Sequence, residues 1–282
     1  MANKTATSSN KKTTVHRIST VEATAGIKGF MPFNCKKFYK SLKRTPIVGA
    51  LVAEFVGTFI IVASFLEMQG NPLFVGFALI GVVLVVGGVS GAHVNPAMTI
   101  GAWATRKISS LYALGYIVAQ VLGAAVAWLV LDAFLKGSTA TAITTTGSSL
   151  FHAATIAPGK EWYIFFAELL GTIILALGFA TALRVVKRNK LAAGFSAGLA
   201  ILIALYIAMS LTTVLLTASG TGLTFINPAL AMAANGLSWS LWPIAIYIFA
   251  PVIGGIVGFA LQDFLQSQTD ETCDCTCCEI KK

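Results

Sequence analysis

Ser90-Gly91-Ala92-His93-Val94-Asn95-Pro96-Ala97 and, in the second half of the chain, Asn227-Pro228-Ala229 decide how the sequence is read. Asn before Pro starts a helix, since Asn caps and Pro fits the first helical position, where no N–H is needed. Both triplets sit in apolar stretches too short to cross a bilayer. A helix start at membrane depth means a broken helix, and irregular backbone there survives only when buried in protein or lining a cavity. The two triplets therefore point to a pore or a binding site.

The surroundings are those of a polytopic membrane protein. Hydrophobic residues make up 56% of the chain and charged residues 11%, with mean hydropathy +0.80, values that exclude an ordinary soluble domain. Six apolar stretches, 47–66, 73–89, 110–135, 162–183, 191–217 and 241–262, approach the roughly 20 residues that a hydrocarbon core requires. The first 46 residues lack the apolar region of a cleavable signal, so insertion rests on the first span.

A net charge of +9 raises the question of nucleic acid, but its distribution answers otherwise. Ten of the 20 Lys and Arg precede residue 47; Arg106, Lys107, Arg184, Lys187, Arg188, Lys190, Lys281 and Lys282 follow. With six spans all of these fall on one side, leaving Lys136 and Lys160 on the other. The positive-inside rule places that side, and both termini, in the cytoplasm. No nucleic-acid reading motif is present.

The two halves repeat. Ala53-Glu54-Phe55-Val56-Gly57-Thr58 matches Ala167-Glu168-Leu169-Leu170-Gly171-Thr172, and Tyr116-Ile117-Val118-Ala119-Gln120 matches Tyr247-Ile248-Phe249-Ala250-Pro251. Each half has three spans with a triplet between its matched segments. An odd number of spans inverts the second copy relative to the first, giving a pseudo-two-fold axis in the membrane plane. Small residues recur at spacing four (Ala53/Gly57, Ala119/Gly123/Ala127, Ala167/Gly171, Ala250/Gly254/Gly258), which lets helix backbones approach closely. The expected organisation is a basic arm over 1–46, a membrane domain over 47–265 (repeats 47–135 and 162–265) and a Cys-rich tail over 266–282.

With the doubled Asn-Pro-Ala, the doubled Ala-Glu-x-x-Gly-Thr and the Ser90–Ala97 segment, the chain resembles the aquaporin, or major intrinsic protein, family from about residue 47 to 265. The resemblance implies an all-α membrane protein, a right-handed bundle of six transmembrane helices plus two half-helices, assembled as a homotetramer with one pore per subunit.

The triplets have a physical role independent of the family. Each Asn side chain gives its oxygen to the first turn and keeps its amide free for a passing solute. Two helix starts, each worth about half an elementary charge, form a positive collar that opposes cations. Asn95, Pro96, Ala97, Asn227, Pro228 and Ala229 are the expected pore residues. Glu54 and Glu168 are intramembrane acids and so functional candidates. Their equivalence in the two halves favours structural support of the loops over proton coupling. His93 is expected to anchor its loop by hydrogen bonding, with a pH-sensitive gate as the alternative.

The chain departs from the family just after the second triplet. The resemblance implies Arg lining the narrow outer pore there, but the residue is Leu230. By spacing from the triplets, the partner positions are Val75, Val214 and Thr224, with Leu223 and Phe225 as alternatives to the last. Loss of the Arg removes a cation and a donor while freeing volume and making the wall apolar.

Of the five cysteines, Cys35, Cys273, Cys275, Cys277 and Cys278, none falls between residues 36 and 272, so a pore thiol is absent. The cluster Cys273, Cys275, Cys277 and Cys278 is a weak candidate for a soft metal ion, beside lipidation or an uncommitted reduced tail. No cofactor is expected and no nucleophile–base pair is present. The function expected is a passive channel in the lipid bilayer for water and small neutral solutes. The alternatives are a non-conducting scaffold with an occluded pore and, in view of the inverted repeat, a secondary transporter.

Overall fold

A computed structural model describes residues 47–137, 156, 158–213, 224–238 and 240–279, with side chains described as far as residue 268 except at residue 135. Among these residues all regular structure is helical: α1 (Ile47–Glu67), α2 (Pro72–Ser90), α3 (Pro96–Ala104), α4 (Ser110–Gly137), α5 (Glu161–Val185), α6 (Lys190–Thr213), α7 (Pro228–Ala233), α8 (Leu241–Ile244), a π turn (Ala245–Phe249) and α9 (Ala250–Glu279). Six segments are long and apolar enough to span a bilayer: α1, α2, α4 as far as Phe134, α5, α6 and the run Leu241–Gln268. The short α3 and α7 both start at a triplet. The protein is an integral, multi-pass membrane protein.

Local chemistry sets the ends of these helices. Asn71 caps α2, its Oδ1 accepting from the Leu73 N–H at 3.1 Å with Pro72 at the first position. Both half-helices close in the same way, with a non-glycine residue in the left-handed region. Arg106 (φ +62°) follows α3, and the Lys107 N–H reaches the Ala102 carbonyl at 2.7 Å. Asn235 (φ +53°) follows α7, and the Gly236 N–H reaches the Ala231 carbonyl at 2.8 Å.

The last span departs from regular geometry at one place. Pro251 has no N–H for the helical ladder, and the turn before it widens so that the Ala250 N–H donates to the Ala245 carbonyl. Beyond the apolar stretch α9 stays helical to Glu279.

Packing follows the duplication. α1 lies against α2 and α4, and α5 lies against α6 and α9, while α2 and α6 join the halves. Each half-helix crosses over, α3 against α9 and α7 against α4. Glycines set the closest approaches within each half. A Cβ on Gly123 would strike the Phe55 carbonyl, and one on Gly254 would lie 2.7 Å from the Leu169 carbonyl and 2.9 Å from Thr172 Cβ. Phe55 and Leu169 are equivalent in the repeats, so the same contact is built twice. Gly254→Ala should therefore force α5 and α9 apart and cost about 1–3 kcal/mol, read as a lower melting temperature in detergent. An unchanged melting temperature would mean that this contact does not set the helix spacing.

At one end of the bundle, Asp263 of α9 accepts from Lys107 Nζ at 2.7 and 2.8 Å and from an Arg184 guanidinium nitrogen at 3.1 Å. The exit of α3 and the end of α5 thus share one carboxylate. At the far end of α4, Lys136 pairs with Asp132.

Candidate pore site

The site is built from two copies of one loop. In each, the triplet Asn has extended backbone (Asn95 φ −157°, ψ 121°; Asn227 φ −153°, ψ 110°) and caps its half-helix. Asn95 Oδ1 accepts from the Ala97 N–H at 2.8 Å. Asn227 Oδ1 accepts from Ala229 at 3.0 Å and from Leu230 at 3.4 Å.

The residues just before the caps, Val94 (φ +45°) and Ile226 (φ +46°), are in the left-handed region, an outlier for a β-branched side chain. Such strain costs of order 1–3 kcal/mol and persists only where the surroundings over-determine it. The buried carboxylates do this. Glu54 accepts from the His93 and Val94 N–H groups at 2.9 and 2.7 Å. Glu168 accepts from Phe225 and, at 2.8 Å, from Ile226. Both carboxylates are fully buried, and each clamps the two residues before its cap.

The strained residues present their carbonyls to the opposite half. Asn95 Nδ2 donates to the Ile226 carbonyl at 2.8 Å, and Asn227 Nδ2 donates to the Val94 carbonyl at 3.1 Å. This corrects the expectation that the amides stay wholly free. One N–H of each is committed to the other loop.

Beyond this shared clamp the halves differ. In the first, Gln120 Nε2 donates to Glu54 Oε2 at 2.8 Å and to Thr99 Oγ1 at 2.9 Å, and Thr99 Oγ1 donates to the Asn95 carbonyl at 3.1 Å. In the second, Pro251 stands where Gln120 does and Ala231 stands where Thr99 does, so no such side-chain mesh can form. The matched tyrosines diverge too. Tyr116 OH donates to the Ser90 carbonyl at 2.9 Å, whereas the buried Tyr247 OH has no partner among the described residues. Gln120 and Thr99 did not stand out as site residues in the sequence, although the Gln/Pro mismatch was visible in the aligned halves.

His93 is buried with its ring edge-on to Tyr116 (5.3 Å between centroids) and Phe179 (5.5 Å). Its Nδ1 has no hydrogen-bond partner among the described residues. The side chain is held by aromatic packing, and it is the backbone N–H that bonds to Glu54. The hydrogen bond by which His93 ties its loop is thus made by its main chain.

Of the outer positions, Val75 on α2, Thr224 and Leu230 on α7 are all at most 2% exposed. Thr224 Oγ1 lies 3.0 Å from Thr212 Oγ1 on α6. Val214 lies outside the described residues, as do Cys35 and the side chains of Cys273, Cys275, Cys277 and Cys278. No cluster of metal-ligating side chains occurs among the described residues.

A family model described as Major intrinsic protein matches residues 41–261. The chain belongs to the major intrinsic protein family. It is 32% identical over 203 residues to aquaporin AqpM of Methanothermobacter thermautotrophicus, covering 68% of this chain and 75% of the relative. It is also 32% identical over 215 residues to glycerol uptake facilitator protein-like 6 of Lactiplantibacillus plantarum, covering 73% and 93%. Among solved structures, the aquaglyceroporin from Plasmodium falciparum superposes with a TM-score of 0.61 at 22% identity, covering 77% of this chain and 96% of that one. At that identity the likeness speaks for the fold. Members of the major intrinsic protein family are membrane channels for water, small solutes or both. In this member the two cap asparagines meet through backbone carbonyls, and the residue after the second triplet is an apolar Leu230 rather than a cation.

Proposed function

We propose that the protein is a passive channel for water and small uncharged solutes, with cations opposed by the paired starts of α3 and α7. The observation that carries this reading is the reciprocal pair of bonds from Asn95 and Asn227 to the opposite loop. These bonds tether the two helix starts to one another, where their partial positive charges act together. Each Asn keeps one N–H with which to offer a passing oxygen a hydrogen bond. The outer ring is assigned to Val75, Val214, Thr224 and Leu230, a lining without a fixed cation. Both termini lie on the cytoplasmic side, and the working form is a homotetramer with four separate pores.

The test is osmotic. Purified protein in liposomes is expected to speed shrinkage well above that of empty vesicles while leaving potassium and proton leak at the empty-vesicle level. Shrinkage equal to that of empty vesicles overturns the channel reading, and a raised potassium leak overturns the cation barrier. A second reading, an occluded scaffold, is favoured by the near-complete burial of Val75, Thr224 and Leu230. The same shrinkage measurement separates the two.

A further inference from the structure

We propose that Thr212, at the end of α6, sets the outer ring's selectivity by holding the Thr224 hydroxyl proton away from the pore. The inference rests on the assignment of Thr224 to that ring. Its basis is proton accounting. A threonine hydroxyl has one proton to give and two lone pairs to accept with. Thr212 Oγ1 lies 3.2 Å from the Ala208 carbonyl and 3.1 Å from the Met209 carbonyl, so its proton goes to its own helix. Either hydroxyl could donate in the 3.0 Å contact between them; the shorter carbonyl contacts of Thr212 assign the proton to Thr224, with Thr212 Oγ1 accepting. The remaining contact of Thr224, to the Ala208 carbonyl at 3.5 Å, is at the limit of hydrogen bonding and does not compete.

Thr212 and Thr224 are both at most 1% exposed. Val75 and Leu230 carry no side-chain donor. With the Thr224 proton committed, the three described ring side chains offer a permeating oxygen no N–H or O–H. An oxygen entering from bulk water meets no side-chain donor at these three residues and meets one again at Asn95 and Asn227. Thr212 is thus a positioning residue: it acts on the permeant through Thr224.

The experiment compares osmotic water permeability in liposomes for four variants of the full chain. Thr212→Val keeps the shape of the side chain and removes the acceptor, which frees the Thr224 proton to turn to the pore. Water permeability should rise about fivefold, the effect of one net hydrogen bond. Thr212→Ser, which restores the acceptor, should stay at the wild-type rate. In a Thr224→Val background, Thr212→Val should add nothing, because there is no proton to release. A Thr212→Val rate at or below wild type overturns the proposal, as does an equal rise in the Thr224→Val background. A purely structural role for Thr212 predicts loss rather than gain.

The ring assignment is tested separately with Thr224→Cys. The chain has no cysteine between residues 36 and 272, so wild type supplies the control. Block of the variant by a mercurial, with wild type unaffected, supports Thr224 as pore-lining. Absence of block overturns that assignment whatever the Thr212 variants do.

Discussion

Glu168→Ala is expected to abolish osmotic water flux and to remove most of the folded protein. The carboxylate accepts from the Phe225 and Ile226 N–H groups at full burial. Truncation leaves two donors without partners at membrane depth, each costing about 1–3 kcal/mol. It also removes what holds Ile226 at φ +46°, where the strain is of order 1–3 kcal/mol. The two unpaired donors alone amount to about 2–6 kcal/mol, a large share of what holds a domain together. The second half lacks the side-chain mesh of the first, since Pro251 and Ala231 stand where Gln120 and Thr99 mesh. Size-exclusion profiles in detergent report the folded fraction, and stopped-flow shrinkage reports the flux of what survives. Monodisperse Glu168→Ala with wild-type flux would show that the second loop is held by other groups.

Leu230→Arg is expected to keep water flux while cutting glycerol flux by on the order of tenfold or more, the scale at which a site discriminates by added bulk. Leu230 follows the cap of α7 and is 2% exposed, so little free volume surrounds it. Arginine brings extra length, a fixed charge and a planar fork of donors. Water is small enough to use those donors, but glycerol meets a narrower passage. Shrinkage in an impermeant osmolyte, followed by re-swelling in glycerol, measures both in the same vesicles. Undiminished glycerol flux would place Leu230 off the permeation path.

The fold was legible because its signals are long and repeated. Six apolar runs, the paired Ala-Glu-x-x-Gly-Thr segments and the one-sided Lys and Arg each restrict the architecture, and the helices lie within a few residues of the stretches read from hydropathy. One boundary went further than hydropathy suggests. α9 runs to Glu279, since a change from apolar to polar residues marks the way out of the membrane and not the end of a helix.

The site was legible only as a list of positions. That Asn95 bonds to the Ile226 carbonyl depends on a left-handed β-branched residue, which propensity argues against. The contribution of Thr212 was hidden for another reason. Counting back from Asn227 through the loop reaches Val214, outside the described residues, and says nothing of Thr212, whose hydroxyl meets Thr224. Spacing carries register faithfully along a helix and loses it across a loop.

The crossed amides also have a consequence for how the chain is made. The Asn95 amide and the Val94 carbonyl have their partners at Ile226 and Asn227, and α3 packs on α9 of the other repeat. During synthesis from the N-terminus the first repeat leaves the ribosome long before these partners exist. Its half-helix must wait in the membrane with only its own half to hold it. The Glu54–Gln120–Thr99 mesh is complete within that first repeat and needs nothing made later. The second repeat arrives to a finished surface and can manage with one carboxylate. A chain with its repeats exchanged in order would send out the less braced half first, and its losses would appear during insertion rather than in the stability of the finished channel.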